Sequence, residues 1–232
     1  MRSLNRLAVI PARAGSQRLA RKNLLPLAGK PLVQWAIEVA VQTELFDRIV
    51  VSTEDAEIAD VARALGPFVP FMRSKELAGD RVRVDQVTLG VLDQLEANGE
   101  AYSSVCILLP TCPLRAAADV KAAYEVFYER NEPNVMSVVE FEHTPFWARG
   151  LTKEGLVEPH FPEFIDTRRQ DLPAAYRPNG AIHILDVGWL RAKRSYLARP
   201  IIGFVMSRER SIDIDTVDDL AEAELMLARN RN

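Results

Sequence analysis

The strongest constraint on this chain is an alternation. Short runs that are almost continuously apolar, at residues 7–10, 48–52 and 105–109, are separated by stretches in which apolar residues return at helical spacing. A strand buried on both faces reads as an unbroken apolar run, whereas a strand wetted on one face alternates, so these runs predict strands covered on both sides. Residues 31–42 put Pro31 in a first helical turn and Leu32, Trp35, Ala36, Val39 and Ala40 on one face. Thr53 stands where it can cap a helix over 55–65, which Gly66-Pro67 ends. Residues 84–95 and 116–128 predict further helices, 180–185 and 201–206 further strands, and 217–229 a final helix with Thr216 and Asp219 in capping-box positions. Strand alternating with helix predicts an α/β fold built on a doubly wound, mostly parallel sheet.

The pattern lapses over 142–175, where Pro145, Pro159, Pro162 and Pro173 break any long element. An irregular excursion of that length in a compact domain is usually a lid or an interface arm. Residues 1–232 are otherwise expected to form one domain, large enough to bury a core without disulfides or a structural metal. The two cysteines, Cys106 and Cys112, make no disulfide framework and point to a reducing, cytoplasmic setting. Arg2 and Arg6 ahead of residues 7–10 imitate a secretion signal, but Pro11 and Arg13 interrupt the apolar run. No run reaches the ~18 residues of a membrane span.

The formal net charge of −3 conceals a split. Residues 1–30 carry seven cations (Arg2, Arg6, Arg13, Arg18, Arg21, Lys22 and Lys30) and no Asp or Glu, leaving 22 cations against 32 acids in the remainder. A local basic segment on an acidic body suits a small anionic ligand, whereas a nucleic acid needs an extended basic face. Most of these cations lie between Pro11 and Leu24, directly after the first predicted strand. A loop at a strand's carboxyl end is where open α/β sheets bind ligands; Gly15 and Ser16 let backbone N–H groups approach phosphate, and Arg13 and Lys22 neutralise it. The segment contains neither GxxxxGK[ST] nor GxGxxG, which disfavours a P-loop ATPase and a standard NAD enzyme.

Towards the other end, Ser211-Ile212-Asp213-Ile214-Asp215-Thr216 precedes the final helix. In an extended segment residues i and i+2 share a face, so Asp213 and Asp215 project together while Ile212 and Ile214 face the core. Two carboxylates aimed at a polyphosphate suit Mg²⁺, which favours one or two carboxylates together with phosphate oxygens and water. The competing role, capping the helix, is already filled by Thr216. His143, His160 and His183 show no metal-binding spacing, and Cys112 has no arrangement for nucleophilic catalysis.

Together these segments resemble the acylneuraminate cytidylyltransferases, the CMP-sialic acid synthetases and their relatives for other nine-carbon acidic sugars, whose loop reads ARxxSKxxxxKNL. The likeness is carried by residues 12–24, by Arg73-Ser74-Lys75-Glu76-Leu77-Ala78, by Pro110-Thr111-Cys112-Pro113-Leu114-Arg115, by Arg169-Gln170-Asp171-Leu172-Pro173 with Arg177-Pro178-Asn179-Gly180-Ala181-Ile182, and by the acidic pair. These motifs follow one another along nearly the whole chain. The resemblance implies a Rossmann-like nucleotidyltransferase fold whose 142–175 insert is an arm crossing to a second subunit, hence a homodimer. It implies that Arg13 and Lys22 contact the triphosphate of CTP, Ser16 and Arg18 complete the phosphate loop, Asn23 and Arg73 help hold the cytidine, and Asp213 and Asp215 bind Mg²⁺. Arg169 and Arg177, with Asn179 and more distantly Arg168, would meet the sugar, a nonulosonic acid, and Leu109 and His183 stand on the sugar side. The implied reaction is in-line attack of the sugar's anomeric hydroxyl on the α-phosphorus of CTP, releasing pyrophosphate and giving a CMP-sugar. No side chain is an obvious general base, so metal-assisted deprotonation of that hydroxyl is expected. No membrane or nucleic-acid partner is expected.

The departures from the family pattern fall unevenly. Gln17 replaces a frequent Lys in the loop, and Val84 a small hydroxylic residue. Leu109 stands where Gln often precedes Pro-Thr, His183 where Tyr is frequent, and Trp147 where some sialic acid enzymes have Lys. The last three belong to the sugar side, so the reaction is better defined than the sugar. Phe146-Trp147 with the stretch at 167–173 looks closer to enzymes for legionaminic-type sugars, and pseudaminic acid enzymes usually lack the RPNGAI stretch. Two other readings compete. A glycosyltransferase using Asp213-Ile214-Asp215 as a DxD site leaves the Arg13/Lys22 loop without a reason, and a catalytically silent nucleotide-binding homologue leaves the intact cation loop and acidic pair without one.

Overall fold

The computed structural model describes residues 5–16 and 18–229, so Arg2 and Gln17 lie outside the described residues. Among these, the main sheet has six strands: β1 (Arg6–Pro11), β2 (Arg48–Ser52), β3 (Ser104–Ile107), β4 (Asn134–Glu140), β5 (Tyr176–Asp186) and β6 (Ile202–Val205). They lie side by side in the order β6-β4-β5-β3-β1-β2. β1 pairs in parallel with β2 and β3, and β4 with β6, while β5 runs antiparallel between β3 and β4. The sheet is therefore mostly parallel, with one reversed strand inside it.

The helices are α1 (Leu32–Gln42), α2 (Ala56–Leu65), α3 (Val84–Ala97), α4 (Ala117–Arg130), α5 (Val187–Lys193) and α6 (Val217–Arg229). Alternate side chains of β1 feed opposite cores, as the two-residue repeat of a strand requires. Ala8 and Ile10 pack with α1, α2 and α4, whereas Leu7 and Val9 pack with α3 and α5. A side chain as completely buried as Leu7 or Ile10 contributes roughly 1.5–3 kcal/mol. On α6, Leu220, Ala223 and Leu227 close a smaller cluster with Leu27, Leu32 and Ile214. No helix among the described residues is long and apolar enough to cross a membrane.

Three features differ from the sequence expectation. The cap of α2 is Asp55, whose carboxylate accepts the Ile58 N–H at 2.9 Å, rather than Thr53. Thr53 lies two residues too early: its carbonyl is held by the Arg73 N–H, and its Oγ1 accepts from the Asp55 N–H to brace the turn before the cap. β4 was not expected because Asn134 and Ser137 interrupt its apolar run, yet both are buried and hydrogen-bonded inside. α5 is too short to show a periodicity; Asp186 caps it through the Trp189 N–H at 2.7 Å.

β5 is also less regular than a plain strand. Its register with β4 steps from Met136↔His183 to Val138↔Pro178, so Ser137 alone opposes a bulge formed by residues 179–182. Gly180 takes φ 73 there, a left-handed conformation, and a Cβ would meet Cys112 Sγ and Leu109 Cδ1 at 3.3 Å. Between β4 and β5, where neighbouring antiparallel strands need only a turn, the chain makes the long predicted excursion. It carries a small hairpin, Arg149–Leu151 with Val157–Pro159, and an aromatic cluster of Phe146, Phe161 and Phe164. Trp147, Leu151, Leu156, Val157 and Ile165 are exposed on it.

Candidate active site

The carboxyl ends of β1, β2 and β3 share one edge of the sheet, and the cationic loop folds over them. Three hydrogen bonds pin it: Ala12 N–H to the Ser52 carbonyl (2.9 Å), Ala14 N–H to Glu54 Oε1 (2.8 Å) and Asn23 Nδ2 to the Arg13 carbonyl (2.8 Å). Arg73 is buried beneath it, donating Nε to Ser52 Oγ at 3.0 Å and a second nitrogen to the Ser52 carbonyl. Burial pulls its pKa down, and Glu54 at 3.6 Å opposes that shift. Arg13, Ser16, Lys22, Asn23, Arg73 and Thr111 line a cavity of ≈ 240 Å³. All but Thr111 are residues given a site role from the sequence, and Thr111 belongs to the Pro110–Arg115 motif.

The acidic pair reaches this cavity from the other end of the chain. Ile214 is fully buried and its N–H donates to the Thr111 carbonyl at 2.8 Å, which fixes the segment between the two carboxylates. Asp219 accepts from the Asp215 and Thr216 N–H groups at 2.9 and 2.7 Å, while the Asp219 N–H donates to Thr216 Oγ1 at 3.2 Å, the reciprocal cap expected for α6. Lys22 Nζ lies 2.8 Å from Asp215 Oδ1, and Arg18 Nη1 lies 2.8 Å from Asp215 Oδ2. Arg13 is held by Asp80 at 2.8 Å, and Arg21 turns away to Asp55 and Glu57 on α2. Burial raises the pKa of Asp213, and the neighbouring Asp215 charge adds to it, against the Thr111 hydroxyl and Lys22.

This donor set fits a divalent cation that arrives with polyphosphate. Arg13 is paired with Asp80, and Lys22 and Arg18 share Asp215. A triphosphate that recruits Arg13, Arg18 and Lys22 strands Asp215 beside an already desolvated Asp213, and two hard carboxylate oxygens left without a cation are the set Mg²⁺ favours.

The remaining predicted residues divide. Leu109 and His183 line one apolar pocket, together with Val84, Met136, Ile182 and Tyr196, and Val84 and Leu109 also wall the cavity under the cationic loop. Arg177 is exposed in a wide cleft that Arg18, Asp213 and Asp215 also line. Arg169 lies apart in a separate hollow, its guanidinium donating to the Glu142 carbonyl at 2.9 Å, and Arg168 is exposed beside it. Asn179, expected at the sugar, turns into the core instead because the bulge reverses its direction. Its Oδ1 accepts from Ser137 Oγ at 2.5 Å and its Nδ2 donates to Ser211 Oγ at 2.8 Å, tying the bulge to the segment that carries Asp213. Cys112 donates its thiol to the Asn179 carbonyl at 3.1 Å, and burial pushes that thiol up to about 12, so it is a structural hydrogen-bonding residue.

Asp80, Glu54 and Arg115 were not anticipated. Arg115 is buried and clamps the carbonyls of Leu109 (2.7 Å) and Ala181 (3.0 Å), joining two walls of the site. It closes the Pro110–Arg115 motif, which marks it; Asp80 and Glu54 belong to none.

Residues 7–177 match the family model described as Cytidylyltransferase. The chain is 33% identical over 229 residues to the pseudaminic acid cytidylyltransferase of Campylobacter jejuni, covering 98% of each chain. It is 36% identical over 227 residues to the CMP-N,N'-diacetyllegionaminic acid synthase of Legionella pneumophila, covering 97% of each. A solved CMP:2-keto-3-deoxy-manno-octonic acid synthetase complexed with CTP shares the fold, with a TM-score of 0.72 at 17% identity and coverage of 97% and 99%. The family match and these identities over nearly the whole chain place it in the cytidylyltransferase family.

Proposed function

We propose that this protein transfers CMP from CTP to the anomeric hydroxyl of a nonulosonic acid, releasing pyrophosphate. The observation that carries the reading is the 2.8 Å approach of Lys22 to Asp215 across 193 positions of sequence, at the carboxyl edge of the parallel strands. Arg13, Ser16 and Lys22 take the triphosphate, and the two cations stabilise charge building on the phosphoryl and leaving oxygens. Asn23 and Arg73 border the cavity where the cytidine lies. Arg177 offers a planar guanidinium to the sugar carboxylate on the far side of the acidic pair. Asp213 and Asp215 would hold Mg²⁺, which when bound supplies positive charge to the phosphate oxygens. The sugar is of the N-acylneuraminate or legionaminate type, and the near-equal identities to the pseudaminic and legionaminic enzymes keep both of those acids in the panel to be assayed. The exposed apolar residues of the insert support a homodimer in which Arg169 serves the site of the second copy.

The glycosyltransferase and silent-homologue readings are not favoured by the family match. The deciding assay supplies CTP, Mg²⁺ and a panel of eight- and nine-carbon keto-acid sugars. Pyrophosphate release with a nine-carbon acid supports the proposal. Release of nucleoside diphosphate in a parallel reaction that supplies a nucleotide-sugar donor in place of CTP points to a glycosyltransferase, and no turnover in either reaction to a silent protein.

A further inference from the structure

Glu54 belongs to none of the sequence motifs. It lies in the turn between β2 and α2, where Asp55 caps the helix and Thr53 braces the turn, so the helix does not require it. Its side chain is nevertheless only 18% exposed and turns inward to the cationic loop. Oε1 accepts the Ala14 N–H at 2.8 Å, while Oε2 is buried with no hydrogen-bond partner among the described residues and faces Arg73 Nη1 at 3.6 Å. A buried carboxylate oxygen short of a hydrogen bond costs stability, so packing alone does not account for this placement.

The two oxygens meet the two halves of the site. Ala14 stands next to Arg13 in the phosphate loop. Arg73 lines the cavity and is fixed along one edge only: its backbone N–H donates to the Thr53 carbonyl at 2.8 Å, Nε to Ser52 Oγ at 3.0 Å and Nη2 to the Ser52 carbonyl. The remaining nitrogen, Nη1, is the one that meets Glu54. Burial and the Arg13 charge both act against the Arg73 charge, and Glu54 is the group that opposes them. A guanidinium has donors only, so it can serve the N3 and O2 acceptors of cytosine, whereas uracil carries an N–H at position 3.

We propose that Glu54 is a positioning residue for CTP: one oxygen sets the phosphate loop at Ala14 and the other orients Arg73 towards the base, so that base and triphosphate are gripped in one fixed register. The assignment rests on the use of CTP proposed above. Loss of the carboxylate charge frees Arg73 while sparing the loop, and loss of the whole side chain frees both.

Titration calorimetry of the full chain with CTP, UTP and inorganic tripolyphosphate, each with Mg²⁺, separates these effects. Glu54→Gln keeps an acceptor for the Ala14 N–H and removes the charge facing Arg73. Its affinity for CTP is expected to fall about tenfold and that for UTP less, so that the preference for CTP over UTP shrinks at least about threefold, while tripolyphosphate binding changes by no more than about twofold. Glu54→Ala is expected to weaken tripolyphosphate as well. Should Glu54→Gln fail to fold, Glu54→Asp, too short to span both partners, carries the same comparison of CTP with UTP. Equal losses for all three ligands, or an unaltered preference for CTP over UTP, would mean a merely structural role and overturn the assignment. A wild-type chain that does not prefer CTP to UTP overturns the CTP reading itself.

Discussion

Asp215 pairs with two cations, Lys22 and Arg18, and in the proposed reaction the same carboxylate would also face phosphate and metal. Replacing it with Ala should lower kcat by about 10²-fold or more, the scale lost when a preorganised charge at the transition state is removed. A coupled pyrophosphate assay across a Mg²⁺ series checks this, and unaltered turnover with unaltered Mg²⁺ dependence would remove the metal assignment. His183 gives a prediction of a different kind. Its pKa falls from the ordinary 6.5 to about 4 in the folded protein, chiefly through burial, with Asp85 opposing. Between those values the unfolded chain binds a proton that the folded chain refuses, so stability falls as the pH drops from 6.5 towards 4, by up to about 3 kcal/mol. Denaturant unfolding at several pH values should show this component in the wild type and not in His183→Gln; equal slopes would contradict it. The cations of the loop and the acidic pair were legible in the sequence because charged residues concentrated in a segment otherwise shaped for a buried sheet have few structural reasons to be there. Asp80 and Glu54 were not legible, since a lone acid is unremarkable until the fold brings it to Arg13 or Arg73.

At the level of elements, β5 shows where sequence reading stops. Apolar runs and caps placed five of the six strands and most helices near their observed positions, because each of those signals is local. The bulge is not local: it exists because Ser137 on β4 accepts the Ile182 N–H at 2.8 Å and because Asn179 reaches Ser211. Nothing in RPNGAI alone says which partner strand bends it. The consequence is that Asn179 acts as a positioning residue for Asp213. Removing its amide leaves Ser137 and Ser211 short of partners in a buried site, so Asn179→Ala should cost about 1–3 kcal/mol in unfolding free energy. It should also lower kcat at saturating CTP and raise the Mg²⁺ concentration needed for half-maximal rate. A variant that loses stability while keeping its Mg²⁺ requirement would contradict the positioning role.

For the whole molecule, the excursion between β4 and β5 is the feature that a single copy leaves without a purpose. It exposes Leu151, Leu156 and Val157 and holds Arg169 away from the acidic pair. A homodimer in which each arm reaches the partner's cleft accounts for both. The proposal predicts complementation: Arg169→Ala and Asp215→Ala, each impaired alone, should recover activity when mixed and allowed to exchange subunits, because one composite site then has a sound arm and a sound acidic pair. Light scattering should give twice the chain mass. The arm's irregularity was legible from its prolines, but its hairpin and aromatic cluster were not, since short strands of three residues and rings separated by 15 to 18 positions leave no periodic trace.

The central claim is that the anomeric oxygen of the sugar attacks the α-phosphorus of CTP. Sugar labelled with ¹⁸O at the anomeric hydroxyl, turned over with CTP and Mg²⁺ and followed by mass spectrometry, tests this most directly. The account predicts that the label stays in the bridge of the CMP-sugar and that pyrophosphate is unlabelled. Label in the pyrophosphate, or pyrophosphate formed without a labelled CMP-sugar, would contradict it.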